Sequence, residues 1–434
     1  MVLYIQDNNP RIQYISAFIG DQITGSIFEI TTDQEYFKSF DGPKINYSNN
    51  KLCENEFWLL PYSLLFETGT REHSIESFSF ENTIAIFKTG GDIPFDIFAA
   101  SFYLLSRYEE YLPHAKDIYE RYAHENSIAF REGFLHLPVV DQWIVIFTEK
   151  LISKFPSLTV KLRRFTFIPT YDIDEAYSYQ YKNFARNFAG AMKAIFRGKW
   201  NLVSERWNVL KGRIPDPFDS YFWIDQINER YNLDPIYFFL VAARNGKYDR
   251  HILPSHNAIR KLIQQHSRRY ETAVHPSWQS GHENSLLATE ISTIEGMTGK
   301  KVVASRQHYI HFSLPETYRL LAENGIDREY SMGYGSINGF RASVATPFDW
   351  YDLENEQVTK LKIFPFCFME ANSFFEQEMS TDEALKELIQ YYEVVKSVNG
   401  TLITVWHNTF LGTSELFKGW RESYEAFLAY VSNK

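Results

Sequence analysis

From Phe165 onward, short apolar runs of strand type alternate with segments whose apolar residues recur at helical spacing. The pattern predicts strands over Phe165–Tyr171, Pro235–Val241, Thr272–His275, Val302–His308, Tyr330–Met332, Phe340–Ala342, Lys362–Phe368 and Thr401–Trp406. It predicts helices over Ser220–Tyr231, Ser255–His266, Ser285–Gly296, Pro315–Asn324, Asp382–Val398 and Ser414–Val431. Such alternation points to an α/β fold built on parallel strands. Several predicted strands end in a polar residue: Asp172, His275, His308, Arg341 and His407. In a barrel of parallel strands these ends share one face, where catalytic groups collect.

Before residue 160 the texture is mixed. Strand-type runs at Val2–Ile5, Ile12–Phe18, Ser26–Ile30 and Thr83–Phe87 precede two predicted helices, Phe95–Tyr111 and Pro138–Lys154. The charged stretch between those helices reads as surface and interdomain ion pairing. With 434 residues, the chain is long for one core. We expect a smaller α+β domain over 1–160 and a larger α/β barrel over 161–434.

Charge and cysteine content narrow the class. A net charge of −10 argues against a nucleic-acid partner. Cys53 and Cys367 are the only cysteines, which suits a reducing compartment, and the N-terminus lacks a basic, then apolar, leader pattern. A cytoplasmic protein is expected. One segment departs from the acidic balance. Between Lys182 and Arg213, eight Lys or Arg residues face the single acid Glu205. Phe184, Phe188, Met192, Ile195, Phe196, Trp200, Val203, Trp207 and Leu210 recur there at near-helical spacing. Two readings fit this insertion at 182–213. It is a lid packed on the barrel, or a surface that meets an anionic membrane or a lipid-linked glycan.

The candidate chemistry starts at Thr170-Tyr171-Asp172-Ile173-Asp174, where an apolar run stops. Residues two apart in a strand share a side, so both carboxylates can enter one pocket. Asp174 and His275 are candidate ligands for a divalent metal, with zinc suited to carboxylate and imidazole. Arg306 and His308 share a strand face, and an arginine there can hold a catalytic carboxylate. His407 ends its strand and is placed to act as a general acid. Arg341 either meets an anionic substrate group or pairs with a carboxylate.

Together, Thr170–Asp174, His275-Pro276-Ser277, Arg306-Gln307-His308-Tyr309 and Val405-Trp406-His407 resemble the ordered motifs of the polysaccharide deacetylases, carbohydrate esterase family four. The resemblance spans about residues 160–434. It implies a distorted (β/α)7 barrel, preceded by an accessory domain, that removes N-acetyl groups from a carbohydrate in cell-envelope or surface-polysaccharide metabolism. It implies Asp172 as base, Arg306 as the residue that orients it, His407 as acid, and Asp174 and His275 as metal ligands. It places the backbone N–H of Tyr309 near the oxyanion, and Trp278, Tyr309 and Arg341 are the candidate substrate-binding residues.

The chain departs from the family pattern at Gln279, which stands where a second metal histidine belongs. His308 is the favoured third ligand, with His282 as the other candidate. The acid that supports His407 is Glu370 or Asp349. The departure at Gln279 also motivates a different reading, an impaired barrel that binds glycan or a partner without hydrolysis.

Overall fold

The structure is a computed structural model describing residues 1–433, apart from the side chain of His282. Strands β1 (Val2–Ile5), β2 (Glu29–Thr31), β3 (Lys44–Tyr47) and β4 (Phe57–Leu59) form a parallel sheet in the order β2-β1-β3-β4. The run Ile12–Phe18, predicted as strand, lies in a helix, Pro10–Thr24. Asn9 caps that helix by accepting the Ile12 N–H at 3.0 Å. Pro10 occupies the first turn, where its missing N–H costs nothing. Ile12, Ile15, Ile19 and Ile23 then share one buried face. A hairpin of β5 (Phe78–Phe80) and β6 (Thr83–Ala85) follows, then helices Ile97–Leu105 and Val139–Lys154. The first of these helices is buried at every position, as its sequence, apolar all round but for Ser101, requires.

The remaining strands form one sheet. They are β7 (Thr166–Ile173), β8 (Ile236–Phe239), β9 (Glu271–Val274), β10 (Ala304–Ser305), β11 (Arg328–Glu329), β12 (Phe348–Asp352), β13 (Gln357–Ile363), β14 (Phe368–Met369) and β15 (Thr401–His407). Their order is β12-β13-β11-β10-β9-β8-β7-β15-β14, parallel throughout except for the β12–β13 pair. A distorted (β/α)7 barrel is the expectation, and closure of the sheet into a ring is not seen. Instead β13 pairs with β11 and β14 pairs with β15, so the two flanks are joined along the chain and not by a ladder. No strand forms over Phe340–Ala342. The Gly339 N–H bonds to Cys367 O and the Phe340 N–H to Leu135 O, so the segment docks on a loop instead of a neighbouring strand. Gly339 makes this possible with φ 144, a conformation that an L side chain rarely adopts.

One apolar core runs from the first sheet into the second, and a small separate cluster of Val2, Tyr4 and Phe37 covers the other face of the first. Polar contacts follow the same seam. Tyr14 Oη donates to Asp349 O at 2.8 Å, and buried Asp141 accepts the Ala345 N–H at 2.7 Å. At the centre, Glu110 accepts from Arg341 Nε at 2.8 Å and Nη2 at 2.6 Å, and from Arg107 Nε at 2.7 Å. All three side chains are buried.

Candidate active site

Strand register assembles the site. In the β7–β15 ladder Asp172 stands directly opposite His407. The His275 N–H bonds to Phe239 O at the end of β8, and the Arg306 N–H to Val274 O at the end of β9. The carboxyl ends of β7, β9, β10 and β15 thus meet at one place.

Asp174 lies just beyond β7 and gathers three imidazoles. Its Oδ1 is 3.2 Å from His275 Nε2, and its Oδ2 is 3.5 Å from His308 Nε2 and 3.6 Å from His407 Nε2. Asp174, His275 and His308 each place one ligand atom within 4.8 Å of the others. The partners behind them fix the tautomers. His275 Nδ1 lies 2.5 Å from Arg306 O, and His308 Nδ1 lies 2.9 Å from Asp249 Oδ1. A carbonyl and a carboxylate only accept, so both Nδ1 atoms carry a proton and both Nε2 atoms turn inward, where each offers a lone pair once deprotonated. Asp174 Oδ1 is buried without a hydrogen-bond partner of good geometry among the described residues, and faces His275 Nε2. A carboxylate oxygen and a deprotonated Nε2 at this spacing are a fit for a cation. One carboxylate and two imidazoles suit zinc and related divalent ions.

Electrostatics agree with a site built to hold positive charge. Burial works to raise the Asp174 pKa, but His308, His275 and His407 hold it well below the usual carboxylate range. Burial works to lower the His308 pKa, while Asp174 and Asp249 push it up to about 9. A cation taking this place displaces a proton.

Two further pairs flank the triad. Asp172 Oδ1 accepts from Arg306 Nη1 at 2.8 Å, and the same nitrogen donates to Thr170 Oγ1 at 2.7 Å. Arg306 is fully buried, with its Nε anchored on Tyr330 O at 3.0 Å. Asp172 Oδ2 is left 3.8 Å from His275 Nε2, beside the cavity. On the other side, Glu370 Oε1 accepts from His407 Nδ1 at 2.8 Å and from the His407 N–H at 2.6 Å. Burial opposes protonation of His407, but Glu370 and Asp174 raise its pKa to about 10. Asp349, the other candidate support, instead pairs with Lys362 at 2.7 Å on the surface.

These groups open into a cavity of about 830 Å³. Tyr248, Tyr309, Phe375 and Phe410 supply aromatic walls. Tyr119 and Arg121, from the charged stretch before residue 160, line it too. The Tyr119 and Tyr309 rings are 5.4 Å apart, and Arg121 Nη1 donates to Tyr309 O at 2.8 Å. Arg121 also lies against Gly335, where an added Cβ would collide with its Nη1 at 1.9 Å. Tyr309 and Ile310 adopt φ 61 and φ 55 in succession. Left-handed backbone at a β-branched residue is costly, and the surroundings must hold it in place.

Several expectations change here. Arg341 does not reach the cavity; Glu110 occupies its guanidinium fork in the core. Trp278 stands behind the wall, stacked on Tyr248 at 4.1 Å and His311 at 3.8 Å between centroids. Gln279 is exposed and accepts from Arg244 at 3.3 Å. The side chain of His282 lies outside the described residues. Sequence reasoning missed Asp249, which sits in a loop without periodicity. It also missed Tyr119 and Arg121, whose contacts span a long stretch of chain.

Residues 1–156 match the model of a family of unknown function, DUF7033. No curated protein matches the chain. Among solved structures, the chain is similar to a protein assigned to the polysaccharide deacetylases from Mycobacterium smegmatis, at 14% identity and TM-score 0.39, over 62% of this chain and 84% of that one. It is similar to Puue allantoinase at 12% identity and TM-score 0.40, again over 62% and 84%. It is also similar to a CE4 family pseudoenzyme from Bacillus anthracis at 9% identity and TM-score 0.33, over 62% and 61%. At such low TM-scores no residue role is carried over from these proteins. Among the described residues, no helix is long and apolar enough to cross a membrane.

Proposed function

We propose that this chain is a metal-dependent hydrolase that removes N-acetyl groups from a carbohydrate, with zinc as the metal. The observation that carries the reading is the convergence of Asp174, His275 and His308, both imidazoles fixed through Nδ1, between Asp172–Arg306 and His407–Glu370. Asp174, His275 and His308 would hold the cation. When bound, it supplies Lewis-acid chemistry, polarising the amide carbonyl and lowering the pKa of water. Asp172 takes a proton from the attacking water through Oδ2, while Arg306 fixes its other oxygen. His407 carries a proton on Nε2, with Nδ1 held by Glu370, and delivers it to the departing amine nitrogen. The aromatic walls at Tyr248, Tyr309 and Tyr119 suit a sugar ring, which presents apolar C–H faces.

The presence of a base, an acid and a dedicated partner for each favours catalysis over glycan binding alone. We also propose a domain boundary near residue 160, with the N-terminal part completing the cavity wall. The test is acetate release from N-acetylated saccharides by protein stripped with chelator and reloaded with zinc, cobalt or manganese. Activity should return with metal. Failure to take up any metal, together with no acetate from any N-acetyl sugar, sinks the proposal.

A further inference from the structure

The helices Phe184–Phe196 and Trp200–Leu210 pack on each other as a hairpin turning at Gly198, where φ is 68. The proposed chemistry makes no use of them. Of their residues only Asn187, Ala194 and Val209 are buried. Phe184 and Phe196 are each 83% exposed, Trp200 64%, and Phe188 and Trp207 57% each. A lid packed through its apolar stripe would hide these rings. Trp200, Val203, Trp207 and Leu210 fall on one helical face, and the Phe184 and Phe188 rings stack 6.0 Å apart one turn from each other. Lys193, Arg197, Lys199, Lys211 and Arg213 are all exposed around them.

We infer that this hairpin lies in the interface of an anionic lipid bilayer, with its aromatic stripe among the acyl chains and its cations at the headgroups. Large rings left in water forgo the gain of burial, so five of them on one hairpin ask for a cover. The charge selects which cover. Lys193, Arg197, Lys199, Lys211 and Arg213, exposed in a chain of net charge −10, complement a negative surface. A second copy would bring the same basic rim against itself. The hairpin is tied to the site at its base. Glu175, the residue after Asp174, lies 3.5 Å from Lys182 Nζ and 3.2 Å from Arg186 Nη2. A second cavity of about 580 Å³, lined by Lys182, Arg186, Arg206 and Arg250, shares Glu175 and Arg250 with the large one. The bilayer would therefore lie beside the active-site mouth, and a lipid-linked N-acetyl sugar would be the substrate class. This last clause rests on the proposed function, whereas membrane binding does not.

The full chain should float with vesicles of equal parts phosphatidylglycerol and phosphatidylcholine, and stay behind with phosphatidylcholine alone. Added salt should weaken the binding. The combined change Phe184→Ser, Phe188→Ser, Trp200→Ser and Trp207→Ser should weaken partitioning roughly tenfold or more. The charge reversal Lys193→Glu, Arg197→Glu and Lys199→Glu should abolish the preference for phosphatidylglycerol. Both variants should keep the wild-type melting temperature, since these side chains are exposed. The inference fails if the wild type does not float at low salt, or if the serine variant floats as well as the wild type. It fails equally if the wild type self-associates through the stripe without lipid. None of these readouts depends on the hydrolytic reaction.

Discussion

Asp249 Oδ1 lies 2.9 Å from His308 Nδ1, and this contact decides which nitrogen of His308 faces Asp174. The same carboxylate oxygen accepts the Trp278 N–H at 2.9 Å, so the loop that carries it is locked to the chain after His275. A carboxylate behind a metal-facing imidazole fixes the ring and strengthens it as a ligand.

Asp249→Ala should therefore weaken zinc affinity by roughly 10–100-fold, measured by competition with a chromophoric chelator. Asp249→Asn, which keeps an acceptor, should lose much less. Unchanged affinity in the alanine variant would show that His308 does not depend on Asp249 for its orientation, and would count against His308 as a ligand.

Asp172 and Asp174 sit two residues apart, yet their partners differ in kind. Asp172 is held by the guanidinium of Arg306, whereas Asp174 meets imidazole nitrogens. Asp174→Ala should remove metal and turnover together. Asp172→Asn should retain metal while kcat falls by about 10²–10⁴. Metal content by mass spectrometry alongside acetate release separates the two. Full activity in Asp172→Asn would overturn its role as base.

That both carboxylates enter one pocket was legible in the sequence, because a period of two at the end of an apolar run turns Asp172 and Asp174 to one side; their separate roles are implied only by the resemblance. His275 and His407 were legible for a similar reason: each follows a buried strand, and sheet register does the rest. Asp249 was not, since its loop has no periodicity and its partner is 59 residues away. Of the two readings of Arg341, pairing with a carboxylate holds; the strand over Phe340–Ala342 does not, because Gly339 and Leu135 draw that backbone off the sheet. The contribution of Arg121 was hidden for the plainest reason, a contact across 188 residues with no local signal.

Glu110 ties neighbouring Arg107 to Arg341 of the later part of the chain, and its charge matters to stability. Burial works to raise its pKa, but Arg341 and Arg107 lower it to about 2. A depressed folded-state pKa means the contribution is fully present above the unfolded value of 4.5 and is lost as pH falls toward 2. Glu110→Gln should destabilise the protein at neutral pH by about 3–5 kcal/mol, because it leaves two buried guanidiniums without their carboxylate. Its denaturation midpoint should also fall less steeply between these pH values than that of the wild type. A wild-type slope in the variant would place the acid sensitivity elsewhere.

Arg121 and Tyr119 come from the part of the chain matched by a family of unknown function, yet both line the cavity. Arg121 donates to Tyr309 O, at a turn where Tyr309 and Ile310 both adopt left-handed backbone. It is a positioning residue: without it, nothing in that contact holds Tyr309 against the cavity. Tyr119 acts by presenting its ring beside that of Tyr309. Loss of one aromatic contact is worth about 0.5–1.5 kcal/mol, so Tyr119→Ala should raise KM by roughly 2–10-fold with kcat nearly unchanged. Arg121→Ala should raise KM and also lower kcat, because the displaced wall misorients the sugar. Zinc affinity should match the wild type in both, since neither touches Asp174, His275 or His308. If steady-state kinetics show KM unmoved in both variants, the N-terminal segment does not contact the substrate.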